Sequence, residues 1–454
     1  MDRQQQRSEA SRRGRGKSGE ADVVRVVLTA DNHLSAYTPR LSPAKLSERR
    51  KRLGKAFERV IDYAIERDAH LFLHAGDLFD SIDPRNQERD FVARQLVRLQ
   101  SKGIKVFAVS GNHDTPRQRT EQGGVSPQGV YHQLRGLHYF AESHVLQPQL
   151  VEVNGLRLAI AGLSSNPGVS PGSDPLDGLD VDDPDKLLES ADLGLLLVHA
   201  AIEGHAFPGE AEMFIRRGSL DRLAGFQVVV AGHVHAYARF SVGAKAVVVC
   251  GATERMEFGH AEDSTGFAYL ELTRGGLRST KHISIAPQPR HVVILSTSEL
   301  WPRRRSSPEL ESNGAALPEQ ELTLADALPV LSPAETIQRR LKPYCTEDAM
   351  VRLALEGPLT QEQYHALDLR AVWMYGQQRA FSFEVDESGL ILTAERAQYD
   401  VLRGERIGLR DMLEVVAREF MERTETPEDR ALLAKTRQRV LDRYDELSGG
   451  EVSR

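Results

Sequence analysis

Cysteine is nearly absent from this chain: Cys250 and Cys345 are the only two among 454 residues. That usage fits a reduced compartment with no disulfide framework, and both are read as small packed hydrophobes. Aromatic residues are scarce at 6%, which leaves no stacking platform of the kind that grips single-stranded nucleic acid. No apolar run approaches the ~18 residues of a membrane span, and MDRQQQRSEASRRGRGKSGEAD at the N-terminus lacks the apolar core of a secretory signal. Positive charge is not in excess either. A net charge of −7 excludes a protein coated in positive field, although a local basic groove or bound cations still attract a polyanion. These absences predict a cytoplasmic protein that does not enter a membrane.

What is present is ordinary globular composition, 40% apolar and 27% charged, over a length that suits two or three domains with real cores. Residues 1–22 have almost nothing to bury and read as a disordered basic tail. From Val23, apolar runs alternate with helical periodicity: VVRVVLTA, an amphipathic stretch around Leu53, Phe57, Val60, Ile61 and Ile65, HLFLHA, a second helix over 85–100, then IKVFAVS. This is the strand–helix–strand signature of a buried parallel sheet. Asn154 and Gly155 sit between two alternating runs and predict a hairpin. Five further strand patterns follow, the last ending near Ile285. Residues 296–321 read as a linker, 322–398 as a small α+β domain, 399–447 as two C-terminal helices and 448–454 as a tail.

Five of the apolar runs finish in residues able to hold a metal. LTADNHL ends with Asp31 and His33, LHAGDLFD with Asp77, AVSGNHD with Asn112, His113 and Asp114, LLLVHA with His199, and VVVAGHVHA with His233 and His235. Any one of these alone is a common turn, cap or packed histidine. Together they suit two hard or borderline divalent cations, because open α/β sheets bind ligands at the carboxyl ends of their strands. Two ions bring four positive charges and Asp31 with Asp77 return two negative ones, so a positive centre remains for a phosphate. Basic candidates for phosphate contact are Arg117 with Arg119 just after GNHD, and SERRKR, Ser47 to Arg52, which reads as a solvated helix face ahead of a contact surface.

The order D-x-H, G-D, G-N-H-D, H, G-H-x-H resembles the calcineurin-like metallophosphoesterases. AGDLFDS, SGNHD, the segment Gly251 to Leu272 and ISIAPQPRHVVIL look like the SbcD-like DNA repair exonucleases within them. The resemblance implies a layered α/β sandwich, two sheets flanked by helices, over 23–295, with 322–398 as a small α+β capping domain. It implies that Asp31, His33, Asp77 and His235 hold one ion and Asp77, Asn112, His199 and His233 the other, Mn²⁺ being favoured. His113 would protonate or stabilise the leaving oxygen, with Asp114 orienting it. DNA as substrate, an SbcC-like ATPase partner docked on the C-terminal helices, and a homodimer are further implications. One departure stands out: Asp80 in GDLFD occupies a position that is usually histidine in the archaeal and eukaryotic branch, so polarity of digestion is not carried over. The resemblance leaves open a metallophosphoesterase acting on small phosphodiesters or phosphoproteins.

Overall fold

The first strand, β1 (Val24–Thr29), buries Val24, Val26, Val27 and Leu28 completely, without alternation. Such a run belongs to a strand covered on both faces. Helix α1 (Pro43–Glu66) follows, begun by Ser42, whose side chain accepts from the Lys45 amide, with proline in its first turn. Its apolar stripe buries Leu53, Phe57, Val60 and Ile61. Then come β2 (Leu71–Ala75), helix α2 (Asn86–Ser101) and β3 (Lys105–Val109), with β1, β2 and β3 mutually parallel. These elements belong to a computed structural model that describes residues 22–116, 124–141, 145–166, 173–181, 190–205, 213–258, 265–301, 331–393, 417–418, 421 and 427–448.

Two six-stranded sheets form the sandwich. The first runs 276–284, 266–273, β1, β2, β3, 138–140; the second runs 238–242, 245–249, 228–232, 193–199, 156–163, 149–153. Leu28, Leu73 and Val109 of the first sheet meet Leu158, Ile160, Leu195 and Val230 of the second in one core. The opposite face of the first sheet, with Val27 and Phe72, packs on Phe57, Ile61 and Leu99 of α1 and α2. In the expected hairpin, Gln149–Val153 pairs antiparallel with Leu156–Leu163, and Asn154 (φ 49°) and Gly155 (φ 76°) both take the left-handed conformation of a two-residue primed turn.

A third, three-stranded sheet is built from Arg290–Ser296, Met350–Leu359 and Ser382–Leu392. Reading the sequence puts 290–295 in the sandwich domain; the strand pairs instead, in parallel, with Met350–Leu359. Helices Pro333–Leu341 and Leu369–Arg379 accompany this sheet, the first opened by a reciprocal Ser332–Glu335 capping box. The three arginines of the basic cluster on α1 find partners within the protein, while Lys51 is exposed. Arg49 is buried against Glu254 (3.1 Å) and Gln288 (3.0 Å), Arg50 donates to the Ser35 and Ala36 carbonyls, and Arg52 pairs with Asp348. A second compact unit comprises 358–364 and the chain from 392 onward; its long helix is Pro427–Ser448. The tail before residue 22, most of the linker, the first C-terminal helical pattern and residues 449–454 lie outside the described residues. Among the described residues no helix is long and apolar enough to cross a membrane.

Candidate metal centre

The carboxyl ends of β1, β2 and β3 in one sheet, and of strands 193–199 and 228–232 in the other, open on the same side of the sandwich. The β1 and β2 exits run side by side: Asp31 N donates to Gly76 O at 3.0 Å, Asn32 N to Asp77 O at 3.0 Å and Leu34 N to Leu78 O at 2.9 Å. Four side chains there stand on left-handed backbone, Asp31 (φ 50°), His33 (φ 46°), Asp77 (φ 51°) and His233 (φ 84°). Each such position costs about 1–3 kcal/mol and persists only where its surroundings over-determine it.

Close approach explains the glycine of GNHD. A Cβ on Gly111 would lie 2.1 Å from Asp77 Oδ1 and 2.6 Å from its backbone nitrogen. Gly111→Ala is therefore expected to displace the Asp77 carboxylate and strip the purified protein of bound divalent metal, as read by elemental analysis; unchanged metal content would show that Asp77 does not depend on this contact.

Asp31, His33 and His235 present ligand atoms within 4.8 Å of one another, and so do Asp31, Asp77 and His199, and His33, Asp77 and His113. Asn112 Oδ1 lies 3.1 Å from His199 Nε2 and 3.1 Å from His233 Nδ1. All seven residues read from the sequence as ligands thus converge, with Asp77 Oδ2 3.9 Å from His33 Nε2 and 3.4 Å from His199 Nε2. The donor chemistry fits cations. His199 Nδ1 sits 2.7 Å from the Ala75 carbonyl, which can only accept, so Nδ1 carries the proton. In the neutral ring Nε2 then aims a bare lone pair at Asn112 Oδ1 and, 3.4 Å away, at Asp77 Oδ2. His33 repeats the pattern: Nδ1 donates to Asp80 Oδ1 at 3.0 Å, leaving Nε2 3.2 Å from His235 Nε2. Electron-rich atoms face one another across the centre, and positive charge between them relieves the repulsion.

Without a metal, the buried groups take that positive charge from a proton, which His199 holds between itself and Asp77. Burial holds the Asp31 carboxyl up at about 7, eased by His199 and reinforced by Asp77. Burial also favours neutral Asp77, but the adjacent His199 wins and holds it well below the usual carboxylate range. His199, pushed down by burial, is raised by Asp77 to about 9. His233 and His235 are driven by burial, then by their imidazole neighbours, to about 4 and about 3, the neutral form a metal takes.

His113 stands at the rim with its side chain 43% exposed. Its Nδ1 lies 3.4 Å from Asp80 Oδ1, the oxygen that also takes the His33 proton. The two rings meet edge to face at 4.8 Å. Asp114 does something other than orient His113: its oxygens accept from the Gly111, Leu78 and Phe79 amides and from Gln128 Nε2. It is a fully buried staple between the β2 and β3 exits. The carboxylate beside His113 is Asp80, which sequence reading treats only as a family departure; its spacing three residues after Asp77 was the available signal. Arg117 and Arg119 lie outside the described residues.

Residues 24–237 match the family model described as calcineurin-like phosphoesterase. The chain is 25% identical over 250 residues to the DNA double-strand break repair protein Mre11 of Sulfurisphaera tokodaii, covering 54% of this chain and 59% of that protein. For the protein of the same name in Saccharolobus solfataricus the values are 24% over 282 residues, 61% and 68%. For that of Haloferax volcanii they are 25% over 343 residues, 74% and 62%. The chain thus spans about three-fifths to two-thirds of the length of these relatives. With one family model running through all five strand ends that meet at Asp77, residues 24–237 form a calcineurin-like metallophosphoesterase domain.

Proposed function

We propose that this protein is a two-metal DNA nuclease, working as an exonuclease in DNA end processing and repair, with Mn²⁺ as its ion. The observation that carries the reading is the convergence of the seven ligand-type side chains on Asp77, with His113 at the rim. The relatives named for double-strand break repair point to DNA. Asp31, His33, Asp77 and His235 would hold one ion, and Asp77, Asn112, His199 and His233 the other. When bound, the pair supplies Lewis-acid stabilisation to the phosphoryl oxygens. His113, steadied through Nδ1 by Asp80, donates a proton from Nε2 to the departing sugar oxygen. Asp114 keeps the GNHD turn closed beneath it.

Two assembly partners complete the proposal. Exposed Val97 on α2 and Val130 and Leu134 at the neighbouring helix Pro127–Gln133 offer apolar surface for a homodimer. Leu432 and Val440 on the Pro427–Ser448 helix do the same for an SbcC-like ATPase. The protein would act in the cytoplasm.

A second reading keeps the chemistry and changes the substrate to a small phosphodiester or a phosphoprotein. It is favoured by a cleft of about 660 Å³ reaching from Asp80 to the third sheet. Asp80, Glu257, Glu384, Asp386 and Glu387 outnumber Arg40, Arg290 and Arg352 along its walls, an unfavourable lining for a polyanion. The test is cleavage of end-labelled duplex and single-stranded DNA by the purified chain in Mn²⁺, with an inactive variant as control and a sizing column run on the same sample. Loss of label dependent on the intact site is expected. Turnover of a chromogenic phosphodiester without DNA cleavage would move the assignment to the second reading, and a monomer on the column would remove the dimer.

A further inference from the structure

Behind the ligands lies a buried polar cluster for which the mechanism above has no use. Asn32, between Asp31 and His33, is wholly buried. Its Nδ2 donates to Thr29 Oγ1 at 3.2 Å and to Thr253 Oγ1 at 3.0 Å. Its Oδ1 lies 2.7 Å from His74 Nε2. His74 Nδ1 accepts from the Gly76 amide at 3.3 Å, so Nε2 is the protonated nitrogen and donates to Asn32. Phe57 closes the cluster, edge to face with His74 at 6.3 Å.

Three chain segments are tied through this one amide. Thr29 and Asn32 belong to the β1 exit, His74 and Gly76 to β2 and its exit, and Thr253 to the loop after strand 245–249 of the second sheet. The same loop is anchored to the site from its other side, since Ala252 N donates to His235 O at 2.9 Å. Asn32 sits at the centre of the segment in which Asp31 and His33 both hold left-handed backbone. An apolar residue would fill the space but could not hold that shape. A hydrogen-bonded amide with all its donors used fixes the segment in direction as well as position.

We propose that Asn32, His74 and Thr253 are positioning residues that set the metal affinity of the group formed by Asp31, His33 and His235. This rests on the two-metal reading of the centre. Groups hydrogen-bonded to metal ligands, when removed, typically weaken binding about 10–100-fold; Asn32 acts through the backbone that carries Asp31 and His33, and a loss in the same range is expected.

The test is calorimetric titration of the metal-free protein with Mn²⁺ alone, for wild type, Asn32→Leu and the double variant Asn32→Leu with His74→Leu, beside thermal denaturation of each. The single variant leaves the His74 N–H and two hydroxyls without their partner; the double removes one of those orphans and restores apolar packing, which recovers stability. The expected result is two Mn²⁺ per wild-type chain, with one of the two steps weakened about 10–100-fold in both variants although the double variant melts above the single one. Wild-type affinity in both variants would overturn the proposal while leaving the metal centre standing, and so would recovery of affinity together with stability in the double. A wild-type chain that binds no Mn²⁺ would instead overturn the metal reading itself. Should the single variant fail to fold, the double variant still decides between these outcomes.

Discussion

Replacing His113 with alanine is expected to lower turnover of a phosphodiester about 10²–10⁴-fold, the usual worth of a positioned general acid, while the variant keeps its full complement of divalent metal. Asp77→Asn is expected to lose both activity and metal. The contrast follows from position: His113 is a rim residue whose Nδ1 faces Asp80, whereas Asp77 is buried, within reach of both His33 and His199. Asp80→Asn should fall between them, since it still offers an oxygen to His33 and His113 but no charge to stabilise a protonated ring. Kinetics and elemental analysis on the same preparations check all three. Equal metal loss in the His113 and Asp77 variants would overturn the assigned roles.

The second large effect is expected at a buried ion pair that belongs to no ligand group. Glu254→Ala leaves the Arg49 guanidinium, 1% exposed, without its carboxylate. Breaking a buried pair in this way costs about 3–5 kcal/mol, because the remaining charge cannot reach water. Burial already depresses the Arg49 pKa, with Glu254 working against it. Glu254 also accepts from the Gln288 amide at 3.0 Å, and Gln288 Nε2 donates to Asp348 O at 3.0 Å. The lost stability should therefore include the seating of the third sheet on the sandwich. The double variant Arg49→Met with Glu254→Leu should recover most of the loss. Urea denaturation of the three proteins measures this; a single variant within about 1 kcal/mol of wild type would show that water reaches Arg49 after all.

Much of the centre was legible because it is written at strand ends. Each of the converging side chains follows a run of buried valines, leucines and alanines that only a doubly covered strand tolerates, so the register of the sheets follows from hydrophobicity and the meeting of these side chains follows from the register. Asp114 was misread because adjacency in sequence suggested adjacency in space. On leaving β3 the chain turns, and its carboxylate points back to the β2 exit rather than toward His113. Asn32 and His74 carried no signal as a pair, being 42 residues apart with no chemistry of their own. SERRKR reads as a solvated helix face, with nucleic-acid contact second, because composition does not show which helix face is covered. Glu254 and Asp348, which claim two of its arginines, lie about 200 and 300 residues further on. Strand Ala238–Val242 went unnoticed because its half-exposed alternation is short.

The distance along the chain between partners at the centre also bears on how the protein comes into being. Asp31 accepts from the His233 amide 202 residues away, and His33 faces His235 across the same separation. Neither ligand group exists until both sheets are complete and docked, since each draws on both. Closing so long a loop is an entropic cost met before any ligand can contribute. Metal ions cannot template such a fold as they template a zinc finger. Ions held there would be acquired by a finished sandwich, and their binding energy would add to the native state alone. An occupied centre would thus fasten the two sheets together, slowing their separation and leaving the route by which they meet to the hydrophobic sheets themselves.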